Sequence, residues 1–247
     1  MSKNEEKPFY GFVALRGFVL TAGIFFIIGF IVALFYSILL GFLLTLPGLY
    51  AIFSYTTTLY FVNPTKTLDQ SDVLKLKGNE LVLDCGCGLG RATVGIAKQL
   101  TTGKVIGTDI WDTVEIPGNS PERAYKNAEI EGVKDKVEFR NGDAFNLPFD
   151  DEYFDVVACA GLITSFHNDE LKLKVMKELY RVLKSKGTFV MREPIKHLKT
   201  LIFLSPTIFF MRLPSKNQWQ SLLEKTGFKN IEYFPHRVAG SFRMKKV

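Results

Sequence analysis

The sequence predicts a doubly wound α/β domain carried behind two transmembrane helices. Three observations predict it: a long uncharged N-terminal run, an alternation of short apolar stretches with helical ones from Glu80 onward, and a glycine-rich turn at the first strand-to-helix junction. Residues 17–65 contain no Asp, Glu, Lys, Arg or His, 49 positions in a chain of 247. At about 1.5 Å per residue a helix of that length exceeds twice the ~30 Å hydrocarbon core of a bilayer, so two crossings use it and one cannot. The spans fall near residues 15–37 and 40–61, with a tight turn over Ser37 to Gly41. Such a run is too long for a signal peptide. Gly29, Ala33 and Ser37 recur every four residues and form a small-residue seam on which a second helix can close. Pro47-Gly48 marks a site for a kink, and a re-entrant hairpin is the alternative to two full crossings. Phe9, Tyr10 and Phe12 at one end, with Tyr55, Tyr60 and Phe61 at the other, read as interfacial anchors. Lys3, Lys7 and Arg16 precede the first span and Lys66, Lys75 and Lys77 follow the second, which assigns both ends to the cytoplasmic side. The chain therefore divides into an anchor, residues 1–65, and a second domain, residues 66–247.

Within that domain Leu81-Val82-Leu83 reads as a buried parallel strand, residues 91–100 as a helix and 104–110 as the next strand. A helix over 121–131, strands over 137–140 and 154–158, a helix over 169–183 and a strand over 188–192 follow. Repeated strand-helix alternation with right-handed crossovers gives a mostly parallel sheet. After a helix over 219–226, strands 231–237 and 241–246, joined at Ala239-Gly240, predict an antiparallel hairpin that completes seven strands.

Composition excludes several classes. With 47% hydrophobic and 23% charged residues the chain is too apolar for disorder. The net charge of +6 is uneven, +8 on residues 192–247 against −3 on residues 66–191, which beside a membrane anchor favours anionic headgroups over nucleic acid as partner. Three cysteines do not make a disulfide framework, and no CxxC, HExxH or calcium-loop pattern appears, so no metal is expected.

The chemistry lies at Asp84-Cys85-Gly86-Cys87-Gly88-Leu89-Gly90, between the first strand and the first helix. Glycines there allow a sharp turn and close approach of backbone to a ligand at a helix N-terminus. The spacing is GxGxG, not the dinucleotide-binding GxGxxG, because the sixth position from Gly86 is Arg91. This turn, with Asp84 two residues before it, resembles motif I of the class I S-adenosylmethionine-dependent methyltransferases. Further positions match in order: Asp109-Ile110-Trp111 ends the second strand, Gly142-Asp143-Ala144 follows the third, Leu147 to Val157 enters the fourth, and Arg181 to Gly187 enters the fifth. The resemblance covers residues 78–193 and implies a Rossmann-like methyltransferase fold with S-adenosylmethionine as cofactor. It implies that Asp84, Gly86, Cys87, Gly88 and Gly90 form the cofactor turn, that Asp109 accepts both ribose hydroxyls, and that Asp143 meets the adenine amino group. Ile110, Trp111, Gly142, Ala144 and Cys159 complete the set, with Trp111 either walling the adenine or packing as a core aromatic.

A general base is needed only when the acceptor must lose a proton. His167 and Glu193 follow the fourth and fifth strands, at the edge where such sites form, and are the catalytic candidates. Family members with a His-His pair after the fourth strand carry it where this chain has Thr164 and Ser165. The Asn/Asp-Pro-Pro-Tyr motif of nucleic-acid and glutamine methylation and the Pro-Cys nucleophile of cytosine methylation are missing, so no nucleic-acid partner is expected. Residues 201–211, apolar, broken by Pro206 and flanked by Lys196, Lys199 and Arg212, are too short to span a bilayer and read as a lid that dips into the interface. The function expected is methyl transfer to a small or lipid-like acceptor in the membrane. A protein methyltransferase acting on a membrane partner, or a non-catalytic nucleotide-binding module, are the alternatives; acceptor atom and oligomeric state stay open.

Overall fold

The computed structural model describes residues 6–11, 15–61, 63–203 and 213–247. Helices α1 (Leu15–Phe35) and α2 (Ile38–Phe61) form an antiparallel hairpin whose segments Phe18–Phe35 and Ile38–Tyr60 are long and apolar enough to cross a membrane. Most of their large apolar side chains face outward, Phe30 at 65% and Phe35 at 75% exposure. A Cβ on Gly29 would lie 2.6 Å from Thr45 Cγ2 and 2.8 Å from the Gly41 carbonyl, so the seam holds at Gly29 and Ala33. Ser37 serves the turn instead: its carbonyl accepts the Gly41 N–H at 2.9 Å, and α2 begins at Ile38, earlier than its pattern suggested. Pro47 lies inside an unbroken α2.

A seven-stranded sheet follows, built from β1 (Leu81–Cys85), β2 (Lys104–Asp109), β3 (Val137–Asn141), β4 (Phe154–Ala160), β5 (Leu183–Pro194), β6 (Lys229–Pro235) and β7 (Ala239–Lys245). Its order is β3-β2-β1-β4-β5-β7-β6, parallel except for the pairs made by β7. Alternate residues along each strand feed two cores. Val82, Val156 and Val190 meet α4 (Arg91–Ala97) and α5 (Pro121–Ile130) on one face; Leu83, Val157 and Phe189 meet α6 (Asp169–Val182) and α8 (Lys216–Thr226) on the other. Local signals set the helix ends: Ser120 caps α5 with Pro121 at its first position, and Ser215 with Gln218 forms a capping box on α8. A short α3 (Ser71–Leu74) and α7 (Leu198–Phe203) complete the helices of the described residues.

Two strand boundaries differ from the sequence pattern. β5 starts at Leu183 because Leu183 pairs with Phe154, and the stretch read as a turn stays in the sheet with a left-handed kink at Lys186, φ 63°. The β6–β7 turn is at His236 to Val238, and Gly240 lies inside β7 opposite Glu193. A Cβ there would overlap Ile195 and Tyr233, so close packing, not a turn, calls for that glycine.

The N-terminal segment is also tied to the domain ahead of its first helix. The buried Asn127 of α5 accepts the Phe9 N–H at 3.0 Å and donates to the carbonyls of Phe9, 3.0 Å, and Leu89, 2.9 Å. The Tyr10 N–H donates to the Pro64 carbonyl at 2.8 Å. Tyr10, expected at the interface, is 5% exposed and packs in the core with Val94 and Ala124, its hydroxyl 3.4 Å from Glu131. Phe12 lies outside the described residues.

Candidate active site

The loops after β1, β2, β3 and β4 converge on a cavity of about 170 Å³ at the carboxyl edge of the sheet, where open parallel sheets place their ligands. Cys85 and Gly86 come from the first loop, Asp109, Ile110 and Asn119 from the second, Gly142 to Phe145 from the third, and Leu162, Ser165 and Phe166 from the fourth. Gly86 has φ 74°, and a Cβ on it would stand 2.9 Å from that of Leu162. A side chain there would be strained and would narrow the cavity. Gly90 caps α4 at φ 82°, with Phe139 pressed against the position a Cβ would take.

Asp109 knits this region together. Its Oδ2 accepts the Gly88 N–H at 2.8 Å, and its Oδ1 accepts the Trp111 N–H at 2.8 Å and the Asn119 amide at 3.1 Å. Asp143 is exposed at the rim and accepts the Phe145 N–H at 2.9 Å. Asp84 does not line the cavity: it is buried, holds the Thr93 hydroxyl at 2.6 Å, and so joins the turn to α4. Burial, opposed by the Thr93 hydrogen bond, pushes its carboxyl up to about 6. Cys87 and Cys159 are buried away from the cavity walls, and Cys87 packs under Gly107. Trp111, at φ 59°, is half-buried and packs on the core edge-on against Phe139, 6.4 Å between centroids, so of the second-strand pair Ile110 is the cavity residue.

Neither catalytic candidate stands free in the cavity. Glu193 is 0% exposed and accepts the N–H groups of Ile163, 2.9 Å, and Thr164, 3.3 Å, with the Thr164 hydroxyl at 2.5 Å and the Cys159 thiol at 3.9 Å. Burial outweighs these donors and pushes it up to about 7. A carboxylate held this way positions the turn that carries Leu162 and Ser165, and it stands behind the cavity wall instead of on it. His167 is exposed, next in sequence to Phe166 on the cavity wall. The residues that pattern reading missed, Asn119 and Ile116 above all, lie in a loop of 11 residues between β2 and α5, whose only signal is Pro117-Gly118. Residues 204–212, most of the expected lid, lie outside the described residues.

A family model described as a methyltransferase domain matches residues 76–227, and the chain belongs to that family. It is a methyltransferase of the S-adenosylmethionine-dependent class, and its sheet is that of the class. Among solved structures a SAM-dependent methyltransferase from Aquifex aeolicus shares the fold, with TM-score 0.59 and 21% identity over 72% of this chain and 89% of that one. A demethylmenaquinone methyltransferase of Lactococcus lactis is 31% identical over 66% of this chain and 73% of its own length. An uncharacterised protein of Haemophilus influenzae is 29% identical over 62% of this chain, which spans 60% of that relative. The methyl donor S-adenosylmethionine fits the residues present. The Gly86 cradle admits close backbone approach, Asp109 stands at the end of β2, and the buried Asn119 Oδ1 has no partner among the described residues.

Proposed function

We propose that this protein is a membrane-anchored methyltransferase whose acceptor is a small lipid-like molecule, a quinone-like ring or a lipid headgroup, reached from the bilayer. One observation carries the reading. Helix α7, from the segment after β5, lies against α2, where the Tyr50 hydroxyl donates to the Ile202 carbonyl at 3.4 Å. Tyr50 is eleven residues from the end of α2 at Phe61, about 16 Å along a helix axis. A cover segment alongside a membrane-spanning helix at that depth opens toward acyl chains, not water. Relatives named for demethylmenaquinone, 2-methyl-6-phytyl-1,4-hydroquinone (Oryza sativa) and sterol (Aspergillus fumigatus) methylation support an apolar acceptor of this kind.

Bound S-adenosylmethionine supplies an electrophilic methyl group, and in-line displacement asks the protein mainly for alignment in a dry site. Asp109 and the glycine turn hold the donor end, Asp143 faces the adenine side, and Glu193 fixes the Leu162–Ser165 wall. His167 is the proposed proton acceptor for a hydroxyl nucleophile. The N-terminus and the catalytic domain share the cytoplasmic side, a reading supported by the Tyr10–Pro64 and Phe9–Asn127 hydrogen bonds and the flanking lysines.

The test is incubation of the detergent-solubilised chain with methyl-labelled S-adenosylmethionine and fractionated membranes. Label in the organic extract supports the reading. Label in protein favours a protein acceptor, and absence of turnover while the donor still binds favours a binding module.

A further inference from the structure

We propose that Asn119 is a second ribose ligand, so that the two hydroxyls of the methyl donor are divided between Asp109 and Asn119. The inference rests on the methyltransferase reading and refines the expectation that Asp109 alone accepts the diol. An ionised carboxylate has about four acceptor sites. Three of those on Asp109 are already filled, by the N–H groups of Gly88 and Trp111 and by the Asn119 amide. One site cannot accept two hydroxyls.

Asn119 supplies the missing acceptor. It lines the same cavity, is 5% exposed, and is held at its backbone by the Ile116 carbonyl, 2.9 Å from the Asn119 N–H. Its amide nitrogen must face Asp109, because the flipped amide would set a carbonyl oxygen against a carboxylate. Oδ1 is therefore fixed on the other side, buried and without a partner among the described residues. Native proteins rarely leave such a group unpaired, and here a ribose hydroxyl is the donor that completes it. The other carboxylates of the loop, Asp112 and Glu115, are exposed and have no such need.

Calorimetry on the full chain in detergent decides it, using S-adenosylhomocysteine and its 2′-deoxy and 3′-deoxy analogues on wild type and Asn119→Ala, with ligand-free thermal unfolding as the check on folding. Wild type should lose about tenfold in affinity with each deoxy analogue, the scale of one hydrogen bond. In Asn119→Ala one of those two losses should vanish while the other persists, and the parent ligand should bind about tenfold more weakly. Equal losses in both chains for both analogues, or undiminished binding of the parent ligand by a folded variant, would overturn the division. Failure of the wild-type chain to bind S-adenosylhomocysteine at all would instead overturn the functional reading, and the inference with it.

Discussion

Asn127 offers the sharpest test of how the N-terminal segment is joined to the catalytic domain. Replacing it with Ala removes three hydrogen bonds at once, two to the backbone of Phe9 and one to the carbonyl of Leu89 in the cofactor turn. The Phe9 backbone is part-exposed, so water replaces much of what it loses, at about 0.5–1 kcal/mol per bond. The Leu89 carbonyl is bonded in a buried setting and stays unsatisfied, at about 1–2 kcal/mol. The sum is about 3 kcal/mol, which for a chain of this length lowers Tm by about 6–12 °C. Asn127→Asp should be worse than Asn127→Ala, since it turns an oxygen toward both carbonyls that the amide served. Thermal unfolding of the full chain in detergent, with limited proteolysis ahead of residue 15, measures both effects. A loss under about 1 kcal/mol in Asn127→Ala, or equal stability of the two variants, would refute the view that this side chain fastens the N-terminal segment.

Three further outcomes follow from the geometry. Gly86→Ala, which forces a side chain to φ 74° against Leu162, should cost about 1–3 kcal/mol of stability and abolish S-adenosylhomocysteine binding by calorimetry, whereas Gly132→Ala, with open space around its Cβ, should leave binding unchanged. Asp84 and Glu193 are both raised on folding, to about 6 and about 7. Each therefore contributes stability that is complete below about pH 4 and is lost as pH rises through those values, so Glu193→Gln should flatten the upper part of the fall in Tm between pH 4 and pH 8. The three native cysteines are buried, so Asn4→Cys can be labelled selectively; an impermeant reagent should reach it in inverted vesicles and not in intact cells, and the reverse would sink the hairpin orientation.

What the sequence revealed and what it concealed divide along physical lines. Strands β1 to β4 and the glycine turn were legible because a parallel sheet buried on both faces writes continuous apolar runs, and because Gly86 and Gly90 sit where φ is positive. Asp109 and Asp143 were legible from their places at strand ends. Asn119 was not, because a polar residue in a long loop carries no periodicity, and its significance depends on a carboxylate ten positions away. Glu193 was legible as a residue at the end of its strand, but nothing in its neighbours' identities announces that Ile163 and Thr164 fold back onto it. Tyr10 misled for the opposite reason: an aromatic beside an apolar span has the composition of an interfacial residue, and only the long-range pairing of its segment buries it.

The pairing of Phe9 with Asn127 also constrains how the protein is made. The partners are 118 residues apart, and both long apolar helices are synthesised between them. At about 5–20 residues per second, Phe9 waits about 6–24 s for Asn127 to be translated, longer again for it to clear the ribosome. On the membrane-anchored reading proposed above, the N-terminal segment must remain through that interval on the side where translation continues, while the hairpin enters the bilayer behind it. On that reading membrane insertion precedes completion of the catalytic domain, and a chain whose first helix inserts in the opposite sense strands Tyr10 across the bilayer from the hole it fills.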